Sequence, residues 1–130
     1  MFRGTRIREA VRHQDKSIAL LCILRTRAEF HSVFIVNSST GLKPIDDVEG
    51  LDALQSLRFT FGSESTSGRL MPQHFLDHAG VSQDDFAGAP GYSGSHDKTI
   101  DLVESGSFEA AALHLDLDLS TLWAARRSLR

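Results

Sequence analysis

The 130-residue chain reads as an α/β protein whose largely parallel sheet is flanked by helices. Three observations predict this. Short β-branched and aromatic runs, "SVFIV" (Ser32–Val36) and "RFTFG" (Arg58–Gly62), alternate with stretches whose apolar residues recur at helical intervals. Loops rich in Gly, Ser and Asn separate them, such as "NSSTG" (Asn37–Gly41) and "APGYSGSHD" (Ala89–Asp97). Finally, 41% hydrophobic and 24% charged residues over this length describe one globular domain with a real core. Strands alternating with helices imply parallel pairing through crossovers.

The elements follow in order. The first 30 residues, with seven Lys/Arg against three acids, read as a basic helical segment. Within them "SIALLCIL" (Ser17–Leu24) is too short to span a bilayer. Arg25–Arg27 follow it where a signal peptide has small cleavage-site residues, so no export signal is expected. Cys22, the single cysteine, rules out an internal disulfide framework and a Cys-based zinc site, and is expected as a buried thiol.

"SVFIV" predicts a buried strand and "NSSTG" a turn. "PIDDVEGLDALQSL" (Pro44–Leu57) predicts a helix, with Pro and acids at its start and Val48, Leu51, Leu54 and Leu57 on its apolar side. "RFTFG" predicts the next strand. "RLMPQHFLDHAG" (Arg69–Gly80) predicts a helix with Leu70, Met71, Phe75 and Leu76 on one face, Pro72 in its first turn and Gly80 as its stop. A helix over Thr99–Ser105, a Gly turn and a strand over Phe108–Leu113 come next. "LDLDLSTLWAARRSLR" (Leu115–Arg130) fits an alternating strand or a helix equally well.

The chemistry is concentrated at two loops. In "FGSESTSGRLMP" (Phe61–Pro72) three consecutive hydroxyls, Ser65, Thr66 and Ser67, lie between a strand and a helix. Ligands of open α/β sheets bind where strands end and helices begin, because a helix start offers unpaired N–H groups and a positive dipole end. Three hydroxyls add three donors. Simple N-capping needs only one, and the residue types leave both capping and anion binding open. No Lys stands where a phosphate-binding P-loop requires it, which argues against nucleotide hydrolysis.

The second loop carries His96, suited to donate to an oxyanion, and Asp97, which either orients that His or caps the helix. "GYSGS" (Gly91–Ser95) misses the G-x-S-x-G nucleophile elbow at its last position, and no base and orienter complete a triad. "HFLDH" (His74–His78) spaces two imidazoles by four residues but lacks the Glu of zinc proteases, so surface histidines are expected. The basic ends come with no aromatic- or glycine-rich RNA motif, and nucleic-acid binding is not expected.

"FGSESTSGRLMP", followed by "GYSGSHDKTIDLVESGSFEAAAL" and preceded by "FHSVFIVNSSTGL" (Phe30–Leu42), resembles the phosphonate, phosphite and selenate substrate-binding proteins of ABC importers. These are periplasmic binding proteins of type 2. The likeness covers roughly residues 28–113, with three motifs in order and at matching spacing. It implies part of one lobe of a two-lobed, exported receptor that closes on an oxyanion. The chain is well under half the length of such receptors.

The implied division is a basic N-terminal segment (1–28), an oxyanion-binding lobe (29–115) and a divergent basic tail (116–130). Ser65, Thr66 and Ser67 match the hydroxyls that grip the oxyanion, and His96 the histidine of the second loop. His31 lies near a polar or aromatic cleft contact. The resemblance further implies no catalysis and no cofactor or metal. It implies a small oxyanion ligand, membrane permease and ATPase subunits as partners, a periplasmic location and a monomer.

Two departures stand out. The hydroxyl loop is one residue shorter than the family pattern. "AALHL" (Ala111–Leu115) puts Leu115 where members carry an acidic residue near the ligand, leaving Asp116 as a neighbour. The divergent ends make a truncated, non-functional receptor fragment the alternative expectation.

Overall fold

The run "SVFIV" lies at the heart of an eight-residue strand, and the rest of the architecture is assembled on either side of it. The computed structural model describes residues 18–27, 30–43, 45, 47–62 and 71–116; at 20, 25–27, 30, 96, 97 and 114–116 it describes the backbone alone. Among the described residues five strands form one sheet: β1 (Ile18–Arg27), β2 (Phe30–Asn37), β3 (Phe59–Phe61), β4 (Gly91–Tyr92) and β5 (Ala110–Asp116). Two α-helices accompany them there, α1 (Met71–His78) and α2 (His96–Ser105), with 3-10 turns at Ser38–Thr40, Val48–Leu54 and Gln83–Asp85.

The strand order is β1-β2-β5-β3-β4. β3 pairs in parallel with β5 and with β4, whereas β2 runs antiparallel to both β1 and β5. The α/β class is therefore as expected, but the sheet is mixed rather than mostly parallel. The difference lies in β2, whose pairings are both antiparallel. Beside it, residues 18–27 form an edge strand, not the helix expected of the basic N-terminal segment. Register shifts at Leu20/Cys22 and Arg25/Arg27 break its alternation, so Leu21 and Cys22 are both buried in the same core cluster. A bulged strand of this kind has no period of two to read.

Alternation in the central strands divides the core between the two faces of the sheet. Phe34 and Val36 of β2, Phe59 and Phe61 of β3, and Ala110 and Ala112 of β5 face one way, against Leu51, Leu54, Leu76, Val81 and Phe86. Val33, Ile35, Ala111 and Leu113 face the other way, against Ile100 and Val103 of α2. The three consecutive alanines of β5 are fully buried, and their small side chains let both helical layers approach the middle of the sheet.

The segment expected to be an α-helix over Pro44–Leu57 is instead a 3-10 helix over Val48–Leu54. Its apolar residues recur every three positions, which suits three residues per turn better than 3.6. α1 buries Pro72 and Leu76, with Met71 and Phe75 half-buried; Leu70 lies outside the described residues. Gly80 adopts φ +82°, a left-handed conformation that ends the helix as expected. α2 begins three residues before its expected start, and β5 is shifted to Ala110–Asp116. The tail beyond Asp116 lies outside the described residues.

Asn37 ties the lower ends of these elements together. Its Nδ2 donates to the Val103 carbonyl at 2.7 Å, its Oδ1 accepts from Ser39 N–H at 2.9 Å, and its own N–H donates to the Glu109 carbonyl at 2.8 Å.

Aromatic stacking fixes β3 in the first core. Phe59 stacks on Phe86 with ring centroids 4.7 Å apart and 8° between planes, and meets Phe61 edge-on at 5.0 Å. Phe59→Ala is expected to destabilise the fold by ~3–5 kcal/mol, as the ring is 1% exposed and no neighbour can fill its place. A urea unfolding curve checks this. A loss below about 1 kcal/mol would mean that the site collapses around the cavity.

Candidate functional site

β3, β4 and β5 are mutually parallel through β3, so their carboxyl ends share one edge of the sheet. β2 runs the opposite way and enters at that edge. Its Phe30 and His31 register with Asp116 and Leu115 of β5, and with Arg27 and Arg25 at the end of β1. The topology thus gathers at one edge three segments that are far apart in sequence: the start of β2, Gly62 after β3, and the β4–α2 connection. An open α/β sheet places its ligands at such an edge.

The β4–α2 connection is held by backbone and hydroxyl hydrogen bonds. Ser93 N–H donates to the Phe61 carbonyl at 3.1 Å and Gly94 N–H to the Gly62 carbonyl at 2.7 Å, so the β3–β4 pairing continues past the strand ends. The Ser93 hydroxyl lies 3.1 Å from the carbonyl oxygens of both Gly62 and Ser95 and touches the hydroxyl of Thr99. Thr99 is fully buried, and its hydroxyl donates to the Ser95 carbonyl at 2.8 Å. Gly91 permits the close packing behind this connection, because a Cβ there would lie 2.8 Å from the ring of Phe108.

Ser95 is the N-cap of α2, its hydroxyl accepting from Lys98 N–H at 3.1 Å. His96 and Asp97 are therefore the first two helical residues, and Asp97 is not the cap. The first turn of α2 presents N–H groups with no acceptor inside the helix, at the positive end of a ten-residue dipole. His31 is 5% exposed on β2, next to the edge. Ser65, Thr66 and Ser67 lie outside the described residues; Gly62, three positions before Ser65, is the last described residue on their N-terminal side.

Other sequence features sort themselves differently. His74 and His78 are exposed on α1, His78 Nε2 lying 3.7 Å from Glu49 Oε2 and His74 edge-on to Phe75. Among the described residues no group of three or more His, Cys, Asp or Glu is placed to hold a metal ion. No described helix is long and apolar enough to cross a membrane. Cys22 is buried, as expected. Ser93, the would-be nucleophile of the elbow-like "GYSGS", has its hydroxyl engaged by backbone carbonyls. Its role at the junction went unread because the motif shows only as a failed match, and Thr99 gave no signal beyond a helix.

Known proteins resemble this chain in sequence and in overall fold. The family described as "ABC transporter, phosphonate, periplasmic substrate-binding protein" matches residues 7–126, a wider span than the three motifs occupy. The probable ABC transporter phosphite binding protein PhnD1 of Prochlorococcus marinus (strain MIT 9301) is 58% identical over 88 residues, which are 66% of this chain and 30% of that protein. The crystal structure of PhnD1 from the same organism, in complex with methylphosphonate, superposes with a TM-score of 0.64 at 38% identity. That superposition covers 95% of this chain and 51% of PhnD1, so the chain spans about half the length of its solved relative.

The α2 start can be probed without disturbing the rest of the site. Ser95→Ala is expected to cost ~0.5–2 kcal/mol through loss of the cap, whereas Ser95→Asp retains a capping oxygen and stays close to the original stability. Thermal unfolding of the two variants checks this; equal losses would show that the cap bond contributes nothing.

Proposed function

The chain belongs to the family of phosphonate-type periplasmic substrate-binding proteins of ABC transporters, and on that premise we propose that it is the oxyanion-gripping lobe of an importer's receptor, acting without catalysis. The observation that carries this reading is the convergence at one sheet edge of Gly62, the start of α2 and the start of β2. These are the points from which all of the residues expected to hold the ligand are supplied.

In this reading Ser65, Thr66 and Ser67 donate hydroxyl hydrogen bonds to the oxygens of a tetrahedral anion. His96 donates from its imidazole, at a helix start whose dipole already favours negative charge. Asp97 orients that imidazole, and His31 closes the site from the strand side. Bonds from such donors to an ionised oxygen are about twice as strong as neutral ones, and they suit a tetrahedral oxyanion over a neutral solute. The ligand is phosphite or a small phosphonate, the class named for the relatives; selenate belongs to the same chemical series. With Leu115 at the position where the resemblance implies an acid, the site has no carboxylate there to pair with an ammonium group. It therefore discriminates poorly in favour of aminophosphonates.

The receptor works in the periplasm as a monomer, delivering its anion to a membrane permease driven by a separate ATPase. The residues proposed to hold the ligand all fall within 29–115, and β1, outside that span, completes the sheet that carries them.

Isothermal titration of the folded chain against phosphite, methylphosphonate, phosphate, selenate and sulfate tests the reading. Binding of one or two of these anions is expected, and Thr66→Ala should weaken it roughly 10- to 100-fold, the worth of one hydrogen bond to a charged group. A chain that circular dichroism shows to be folded, yet gives no heat with any anion, would overturn it in favour of a receptor fragment that cannot bind alone.

A further inference from the structure

Resting on that reading, we propose that Ser93 and Thr99 form a hydroxyl pair that fixes the backbone at Gly62 and Ser95, from which the two segments proposed to grip the anion depart, making both of them positioning residues for the ligand. The Ser93 hydroxyl stands between the Gly62 carbonyl, at the root of the Ser65–Ser67 segment, and the Ser95 carbonyl, at the root of His96, 3.1 Å from each. Thr99 closes the figure from the first turns of α2. Its hydroxyl contacts that of Ser93 and donates to the Ser95 carbonyl, which also accepts the Thr99 N–H at 3.0 Å.

Two consequences follow from this arrangement. A strand's carboxyl end presents carbonyl oxygens, whose partial negative charge repels an anion. Hydroxyl and amide donors engage the Gly62 and Ser95 oxygens. In a trans peptide the C=O and the following N–H point in opposite directions. Engaging the Ser95 oxygen with Thr99 therefore turns the His96 N–H the other way, out of the start of the helix. The same contacts lock Gly62 against α2, where a Cβ on Gly62 would lie 3.8 Å from Thr99 Oγ1. The pair thus links the backbone at Gly62 to the backbone at Ser95 through side-chain hydroxyls.

The test compares methylphosphonate affinity, by isothermal titration, with stability, by urea midpoint, in the full chain. The variants are Thr99→Val, which keeps the shape and removes the hydroxyl, Thr99→Ser, which restores a hydroxyl, and Ser93→Ala. Val103→Ala, which opens the α2 core away from the junction, is the control. Thr99→Val and Ser93→Ala are each expected to weaken binding about tenfold, the scale of one buried hydrogen bond. Thr99→Ser should remain near the original affinity, and Val103→Ala should lose stability while keeping affinity. Unchanged affinity in both hydroxyl-deleting variants overturns the inference. So does a loss of affinity in Val103→Ala that simply follows its loss of stability. If Thr99→Val fails to fold, the contrast between Ser93→Ala and the control decides. No binding by the unsubstituted chain overturns the functional reading and this inference with it, whereas binding that the hydroxyl deletions leave intact overturns only the inference.

Discussion

Phe59, Thr60 and Phe61 pair in parallel with Ala110, Ala111 and Ala112 on one side, and Thr60 and Phe61 pair with Gly91 and Tyr92 on the other. Everything else in the molecule depends on this three-residue strand holding both neighbours at once. It brings three carboxyl ends to one edge and anchors one core through the Phe59–Phe61–Phe86 ring contacts. It also fixes the backbone from which the hydroxyl segment departs. All three of its residues are buried, so the cost of ordering so short a strand is met by apolar burial and stacking rather than by the length of its ladder.

The sequence revealed most clearly the elements whose local pattern and tertiary setting agree. Arg58–Gly62 alternates and stops at Gly, and the strand is there. The α1 stop at Gly80 follows from a backbone conformation that other residues adopt only at a cost. What could not be read was whatever depends on partners distant in sequence. Residues 18–27 are apolar without alternation because β1 is bulged, and nothing within them distinguishes such a strand from a helix. The antiparallel return of β2 beside β5 pairs residues from 74 apart (Val36 with Ala110) to 86 apart (Phe30 with Asp116), and this is what turned the expected parallel sheet into a mixed one. The two loops proposed to bear the donors stand out in the sequence as clusters of Ser, Thr, Gly and His. The Ser93–Thr99 hydroxyl pair does not, since these residues acquire their meaning only when Gly62 is folded against them.

The comparisons add what neither local pattern nor topology supplies. Two parallel strands feeding two helix starts are common to many α/β sheets, and such an edge is a place for a ligand rather than a statement of which ligand. Family membership across residues 7–126 attaches this edge to a family of periplasmic substrate-binding proteins, and the proposal of an oxyanion ligand starts from there.

The outermost strand has a consequence of a different kind. β1 is ten residues long, begins with the apolar run IALLCIL and lies at the edge of the sheet, where it would ordinarily invite other chains to add strands. Its two register shifts break the straight row of donors and acceptors that a recruited strand would need. The Ile45 N–H, donating to the Leu21 carbonyl at 2.9 Å, occupies one of the acceptors on it. The opposite edge, β4, is only two residues long. Among the described strands, edges of this kind are poor templates for edge-to-edge stacking into fibrils, so the irregularity that hides β1 from pattern reading also works against such pairing.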